Sequence, residues 1–178
     1  MRATSLAVPA LAAALLLTAC DSDGGGGNGG GSQDAKARSA CQVGEVALQV
    51  GPANAAPAAG DTGNVPVTLT NRGDSACTLD GLPGVDLRAG DSSTALKPDE
   101  GAVPRKTALA KGATTSFTLT YVRGEEAGGK SLAAETAVIR LPGSAETHDF
   151  RWSYGAVALK SDGKTPDASV SGFQRSGD

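Results

Sequence analysis

The clearest signal along the chain is a hydrophobic period of two. Val46, Leu48 and Val50 alternate with Glu45, Ala47 and Gln49, and Val65, Val67 and Leu69 alternate with Pro66, Thr68 and Thr70. The pattern returns at Val85 and Leu87, at Phe117, Leu119 and Tyr121, and at Ala137, Ile139 and Leu141, which alternate with Val138 and Arg140 on the opposite face. Phe150, Trp152 and Tyr154 share one face, with Arg151 and Ser153 opposite. Successive side chains of a strand point to opposite faces, so each run predicts a strand with one buried side. Ser116, Thr118, Thr120 and Val122 form the other face of the Phe117 run, as suits a sheet with one side in water. The last predicted strands are Val157 to Lys160 and Ser169 to Phe173. No stretch has the period of an amphipathic helix; the nearest is a single turn at Leu132 to Thr136.

Turn residues separate the runs. Pro52 to Gly63 is a loop rich in Ala, Pro and Gly. Asn71-Arg72-Gly73-Asp74 predicts a turn, because Asn and Gly both tolerate left-handed backbone angles. Its Arg72-Gly73-Asp74 is the tripeptide some integrins read, a match that turn-forming residues supply by chance. Asp80-Gly81 and Pro83-Gly84 predict a second reversal, Leu109-Ala110-Lys111-Gly112 a third and Pro142-Gly143-Ser144 a fourth. Gly90 to Lys106 is polar, with weak strand signals at Ala95-Leu96 and Ala102-Val103. About 7–9 short strands with regular turns predict an all-β fold, an antiparallel β-sandwich.

The N-terminus follows another logic. Arg2 and the amino group precede an apolar run from Leu6 to Leu17, too short to span a bilayer as a mature helix. The run closes on Leu17-Thr18-Ala19-Cys20, which resembles the bacterial lipobox. That resemblance implies cleavage before Cys20, a diacylglycerol thioether on its sulfur, and in many bacteria acylation (palmitate or a similar chain) of the new amino group. Two chains already give stable anchoring, at about 0.8 kcal/mol per buried methylene. Residues 1–19 are thus expected to be a lipoprotein signal peptide and 20–40 the lipidated Cys20 with a Gly-rich linker, followed by a β-sandwich domain at 41–175. The linker core, Gly24 to Ser32, cannot bury apolar surface and predicts a flexible tether with a span of roughly 25 Å. The expected location is the extracytoplasmic face of the cell membrane, with membrane lipid engaged through Cys20.

Charge and chemistry narrow the function. The formal net charge is -3 and the 16 Lys and Arg are scattered, which argues against nucleic acid as a partner. Cys41 and Cys77, in an exported domain, read as a disulfide pair; two buried thiols would suit a cytosolic protein. Closing a loop of that length stabilises by about 3–4 kcal/mol in the chain-entropy account. His148 is the sole histidine, it follows a Pro-Gly turn, and no Gly-x-Ser-x-Gly elbow accompanies it. It therefore reads as an exposed hairpin residue, and an envelope hydrolase built on it is the least favoured reading. One His, two paired Cys and no Met beyond Met1 leave no expected metal site, and no glycine loop opens a helix to cradle a nucleotide cofactor. Trp152 and Tyr154 have the spacing to stack on a sugar ring, but with aromatics at 3% of the chain the core has first claim on them. The expectation is a non-catalytic interaction module for an envelope protein or cell-wall polymer. The alternative is a wall-glycan or small-solute binder using Trp152 and Tyr154.

Cys41, Val67-Thr68-Leu69-Thr70-Asn71 and Cys77-Thr78-Leu79-Asp80-Gly81-Leu82-Pro83-Gly84-Val85 together resemble the DUF4232 family, with its first Cys, its strand ending near Thr-Asn and its C-x-L-x-G-x-P-x-V segment. Leu109-Ala110-Lys111-Gly112-Ala113-Thr114 is similar to the family's approach to a central strand. The likeness covers about Cys41 to Phe173. It implies an immunoglobulin-like sandwich bridged from Cys41 to Cys77, in exported proteins and lipoproteins of actinobacteria, and it implies no activity. Many members carry a second cysteine pair in the C-terminal half. Here Ala134 to Thr136 and Gly155 to Leu159 contain none, so that half is expected to rely on packing around Trp152.

Overall fold

The computed structural model describes residues 39–175, apart from 53, 55, 127 and 128. The signal segment, Cys20 and the linker up to residue 38 lie outside the described residues. After a 3-10 turn at Val43–Glu45, the chain forms β1 (Val46–Val50), β2 (Thr62–Asn71), β3 (Cys77–Gly81), β4 (Gly84–Ala89), β5 (Ser92–Ala95), β6 (Lys97–Pro98) and β7 (Arg105–Leu109). There follow β8 (Thr114–Val122), β9 (Ser131–Leu132), β10 (Thr136–Arg140), β11 (Thr147–Arg151), β12 (Val157–Ala158), β13 (Ala168–Val170) and β14 (Gln174–Arg175). Nine of these strands have four or more residues. Among the described residues no helix is long and apolar enough to cross a membrane.

The fold is an all-β sandwich. One sheet has the order β1-β2-β8-β13-β6, with β14 also pairing with β8; the other has the order β11-β10-β4-β5. Two short ladders, β3-β7 and β9-β12, complete it. Pairing is antiparallel except between β13 and β6, which run parallel. The centre of the first sheet is the β2-β8 ladder, in register from Thr62↔Val122 to Thr70↔Thr114. Its alternation works as the pattern predicts: Val65, Val67, Leu69, Phe117, Leu119 and Tyr121 are buried, and Thr68, Ser116, Thr118 and Thr120 lie half-exposed on the other side. The buried row meets Val85, Leu87, Ala137 and Ile139 of the second sheet in one core.

Four local expectations are corrected. Leu132 to Thr136 forms no helical turn: Leu132 ends β9, which pairs with β12 through Val157↔Leu132, and Thr136 begins β10. The expected strand from Ser169 to Phe173 is broken after Val170, where the Ser171 hydroxyl accepts the Thr118 N–H at 2.9 Å and displaces a ladder bond. Asp80 to Gly84 is not a hairpin reversal. β3 pairs with β7 while β4 pairs with β5 and β10, so Leu82 and Pro83 carry the chain from one layer to another, with Gly81 at φ +132. Finally, Val138 belongs to the outer face of β10 yet is 1% exposed. It lies in one row with Asp86 and Asp149, and the Arg88–Asp149 pair at 3.1 Å reaches across β10 while Arg140 pairs with Asp86. Arginine stems cover apolar surface while their heads stay wet.

The Asn71-Arg72-Gly73-Asp74 turn also forms differently. Asn71 is the last residue of β2, opposite Val46, and Gly73 is not among the positive-φ glycines. Side-chain bonding makes the turn: Asn71 Oδ1 accepts the Gly73 N–H at 2.9 Å, and Nδ2 donates to Ser75 O and to Leu109 O, each at 2.9 Å. Asn71 is 1% exposed, so these bonds must replace those to water. Beside them, Cys41 and Cys77 are bridged with a Cα–Cα distance of 4.9 Å, and Cys77 stands opposite Leu109 in the β3-β7 ladder. Asn71→Ala is expected to cost about 2–4 kcal/mol by urea denaturation, since it strands Leu109 O, Ser75 O and Gly73 N–H together. Asn64→Ala, on the half-exposed face where the Asn64 side chain accepts from the Thr120 hydroxyl, is expected to cost under about 1 kcal/mol. Equal costs would refute the role given to Asn71.

Candidate functional site

The predicted aromatic face forms, but it turns inward. β11 ends at Arg151, and Trp152 is 5% exposed. Its ring meets Tyr154 edge-on at 4.9 Å between centroids and Tyr121 at 5.1 Å, and its indole N–H donates to Gly155 O at 2.7 Å. The Tyr121 hydroxyl donates to Tyr154 O at 3.2 Å, and the Tyr154 hydroxyl donates to Gly51 O at 3.1 Å. Every polar handle of the cluster is therefore bound within the domain. Burial pushes the Tyr121 hydroxyl above its ordinary range, against the opposing pull of the Arg123 charge. Burial also raises Tyr154, and Tyr121 adds to the effect. Stacking on a sugar would need Trp152 to leave this packing.

Gly63 makes the cluster fit. It stands opposite Tyr121 across the β2-β8 ladder, and a Cβ there would fall 2.5 to 2.8 Å from the Tyr121 ring and hydroxyl. The ring lies over bare backbone. The cluster and the disulfide occupy opposite ends of β2: Gly63 is eight residues from Asn71, roughly 27 Å along a strand. Trp152 accordingly does not pack on the bridge.

His148 stands in the β10-β11 hairpin, as expected, but it is not exposed. It lies within β11, half-buried, opposite the buried Ile139. Asp149 points to the other face and is engaged by Arg88, so the two neighbours do not act on one point. Among the described residues, no three His, Cys, Asp or Glu side chains come together as a metal site would need.

Sequence reasoning missed a cleft beside β7. β6 and β13 run side by side, and Asp99 N–H donates to Val170 O at 2.9 Å. Beyond that bond the two chains part. One goes on to β7, which pairs with β3; the other goes on to β14, which pairs with β8. A cleft of about 760 Å³ opens between them, with Ala102, Val103, Arg105 and Lys106 on one wall and Ser171 to Gln174 on the other. That volume is in the range of ligand sites. Val103, 59% exposed, is the one large hydrophobic side chain exposed among the described residues. Phe173 is half-buried with its ring edge-on to Phe117 at 5.9 Å. The signal in the sequence was faint: of Arg105-Lys106-Thr107-Ala108-Leu109, only Leu109 is buried.

The family model for a domain of unknown function, DUF4232, matches residues 41–174. The chain belongs to the DUF4232 family. The match begins at the bridge cysteine Cys41 and ends in β14, so the DUF4232 domain includes the bridge, the aromatic cluster and both walls of the cleft. Neither curated proteins nor solved structures gave a match.

Two outcomes are expected for the DUF4232 aromatic end. Gly63→Val should lower stability by about 1–3 kcal/mol and raise solvent quenching of Trp152, whereas Gly101→Ala, which meets nothing within 4 Å, should do neither. Wild-type quenching in Gly63→Val would contradict the packing. The chain has two tyrosines, Tyr121 and Tyr154, so tyrosinate absorbance reports this cluster alone. Both should titrate above 10.0 in the folded protein. Their raised values favour the protonated folded state, so this contribution is fully present below pH 10.0 and disappears as pH rises through them. An ordinary tyrosine titration curve for the folded protein would show the cluster to be open.

Proposed function

We propose that the protein is a membrane-anchored, extracytoplasmic lipoprotein whose DUF4232 sandwich is a non-catalytic binding module. Leu17-Thr18-Ala19-Cys20 and the Gly-rich segment after it support the anchor and tether. The observation that carries the binding reading is the cleft between Asp99 to Thr107 and Ser171 to Gln174. It offers apolar contact at Val103 and Phe173 and positive charge at Arg105 and Lys106. Recognition of a partner needs such a mixture of apolar and polar contacts. His148 lies in another strand, with its neighbour Asp149 turned away, and this favours holding a ligand over transforming one. The glycan reading through Trp152 and Tyr154 is weaker, because the Trp152 ring is already packed on both tyrosines.

Two measurements test this. The wild-type protein should fractionate with membranes and need detergent for release, while Cys20→Ala should appear in the soluble fraction; membrane retention of Cys20→Ala overturns the anchor. A photoreactive residue at position 103 should trap a partner in intact cells, and one at position 68, on the outer face of the first sheet, should not. Silence at position 103, or equal trapping at both positions, overturns the cleft as the binding surface.

A further inference from the structure

Three successive residues of β7, Arg105, Lys106 and Thr107, line the cleft. Neighbouring side chains of a strand point to opposite faces, so a strand contributes three in a row only where its edge faces the space. The register says which backbone groups lie on that edge. Thr78 N–H donates to Ser39 O at 2.9 Å and Thr78 O accepts from Cys41 N–H at 3.0 Å, so the polar groups of Thr78 point away from β7. Thr78↔Ala108 is thus a non-hydrogen-bonded pair, and Leu79↔Thr107 and Cys77↔Leu109 are the bonded ones. It follows that the N–H and C=O of Lys106 and Ala108 point away from β3 along the outer edge of β7, where Lys106 lines the cleft and no partner holds them among the described residues. A sheet edge of this kind is a template for one more strand.

Charge selects what pairs with it. The Arg105 side chain has no ion-pair or hydrogen-bond partner among the described residues, and the Lys106 side chain has only the exposed Asp80 at 3.7 Å. Asp99 is the one carboxylate lining the cleft. Val103 and Phe173 add apolar contact for alternate side chains. We propose, building on the binding-module reading, that the cleft receives an extended acidic peptide segment of a partner protein, added as a strand to the free edge of β7. Its backbone pairs with Lys106 and Ala108, its carboxylates meet Arg105 and Lys106, and an apolar side chain rests on Val103.

The test uses the purified full chain and a fluorescein-labelled peptide, Gly-Ser-Glu-Val-Thr-Val-Glu-Ser-Gly, followed by anisotropy. Saturable binding is expected, weakened tenfold or more when Pro replaces the central Thr of the peptide or Lys replaces both Glu. Ala108→Pro removes one outward N–H and leaves the bonded pairs with β3 intact, so it should weaken binding at least tenfold with Trp152 emission unchanged. Arg105→Glu with Lys106→Glu should exchange the preference, losing the Glu peptide and gaining the Lys peptide, an outcome that misfolding cannot produce. Several results overturn the proposal: no saturable binding, equal binding of the Pro peptide, no exchange of preference, or competition by polyphosphate as strong as by unlabelled peptide. Self-association of the charge-reversed protein without loss of peptide would assign Arg105 and Lys106 to guarding the edge, and would also overturn it. Cell crosslinking separates the two levels. A partner trapped equally by wild type and Ala108→Pro refutes the strand-addition mode and leaves the binding module standing, whereas no partner from any surface position refutes the module.

Discussion

The buried amide of Asn71 joins three parts of the chain: its own turn, Ser75 and the end of β7. Its oxygen fixes the Gly73 N–H of the following turn, and its nitrogen is divided between Ser75 O and Leu109 O. Its own backbone bonds to the segment between β7 and β8, through Ala113 O and Gly112 N–H. One side chain thus sets the turn, ends β2 and ties the far end of β7 to the first sheet. Only an amide of this length supplies two donors and an acceptor here; Asp offers no donor, and Gln places its amide a methylene further out. Because β7 has β3 as its sole ladder partner among the described strands, the wall of the cleft takes its position from Asn71 at one end and from β3 along its length.

The two ends of the sandwich reach stability by different chemistry. At the Asn71 end a covalent bridge and an amide network fix the chain. At the Gly63 end the three rings of Tyr121, Trp152 and Tyr154 close on each other, each polar tip bonded to a nearby carbonyl. The C-terminal half has no cysteine, and the indole that packs there needs a glycine across the ladder to admit its neighbour Tyr121. The cleft lies outside both fixed ends, along strand segments held on one side only.

Much of this was legible in the sequence, for a physical reason. β2 and β8 bury one face each, so burial wrote itself into Val65-x-Val67-x-Leu69 and Phe117-x-Leu119-x-Tyr121. β5 and β7 were illegible because Ser92 to Ala95 and Arg105 to Ala108 bury almost nothing; β5 takes its conformation from the adjacent β4 across a two-residue turn, and β7 from β3, distant in the chain. Val138 was misread for the opposite reason: it faces outward by parity and is covered by arginines from its own and a neighbouring strand, which local pattern does not reveal. The cysteine pairing and the aromatic grouping could be read from residue type alone. The cleft could not, since it arises where β6 and β13 part, and no local window contains both.

One consequence of the Cys41–Cys77 bridge concerns force. The chain enters the sandwich at Ser39 to Cys41, pairing with β3 at Thr78, and the bridge joins the same strand one residue earlier. Any pull arriving from the N-terminal side therefore crosses the sulfurs directly into β3. The 36-residue loop they close, which contains β1 and β2, carries none of that tension and cannot be peeled from its end. The central ladder is mechanically short-circuited, and the strain falls instead on β3 and on β7 beside it, the strand that borders the cleft.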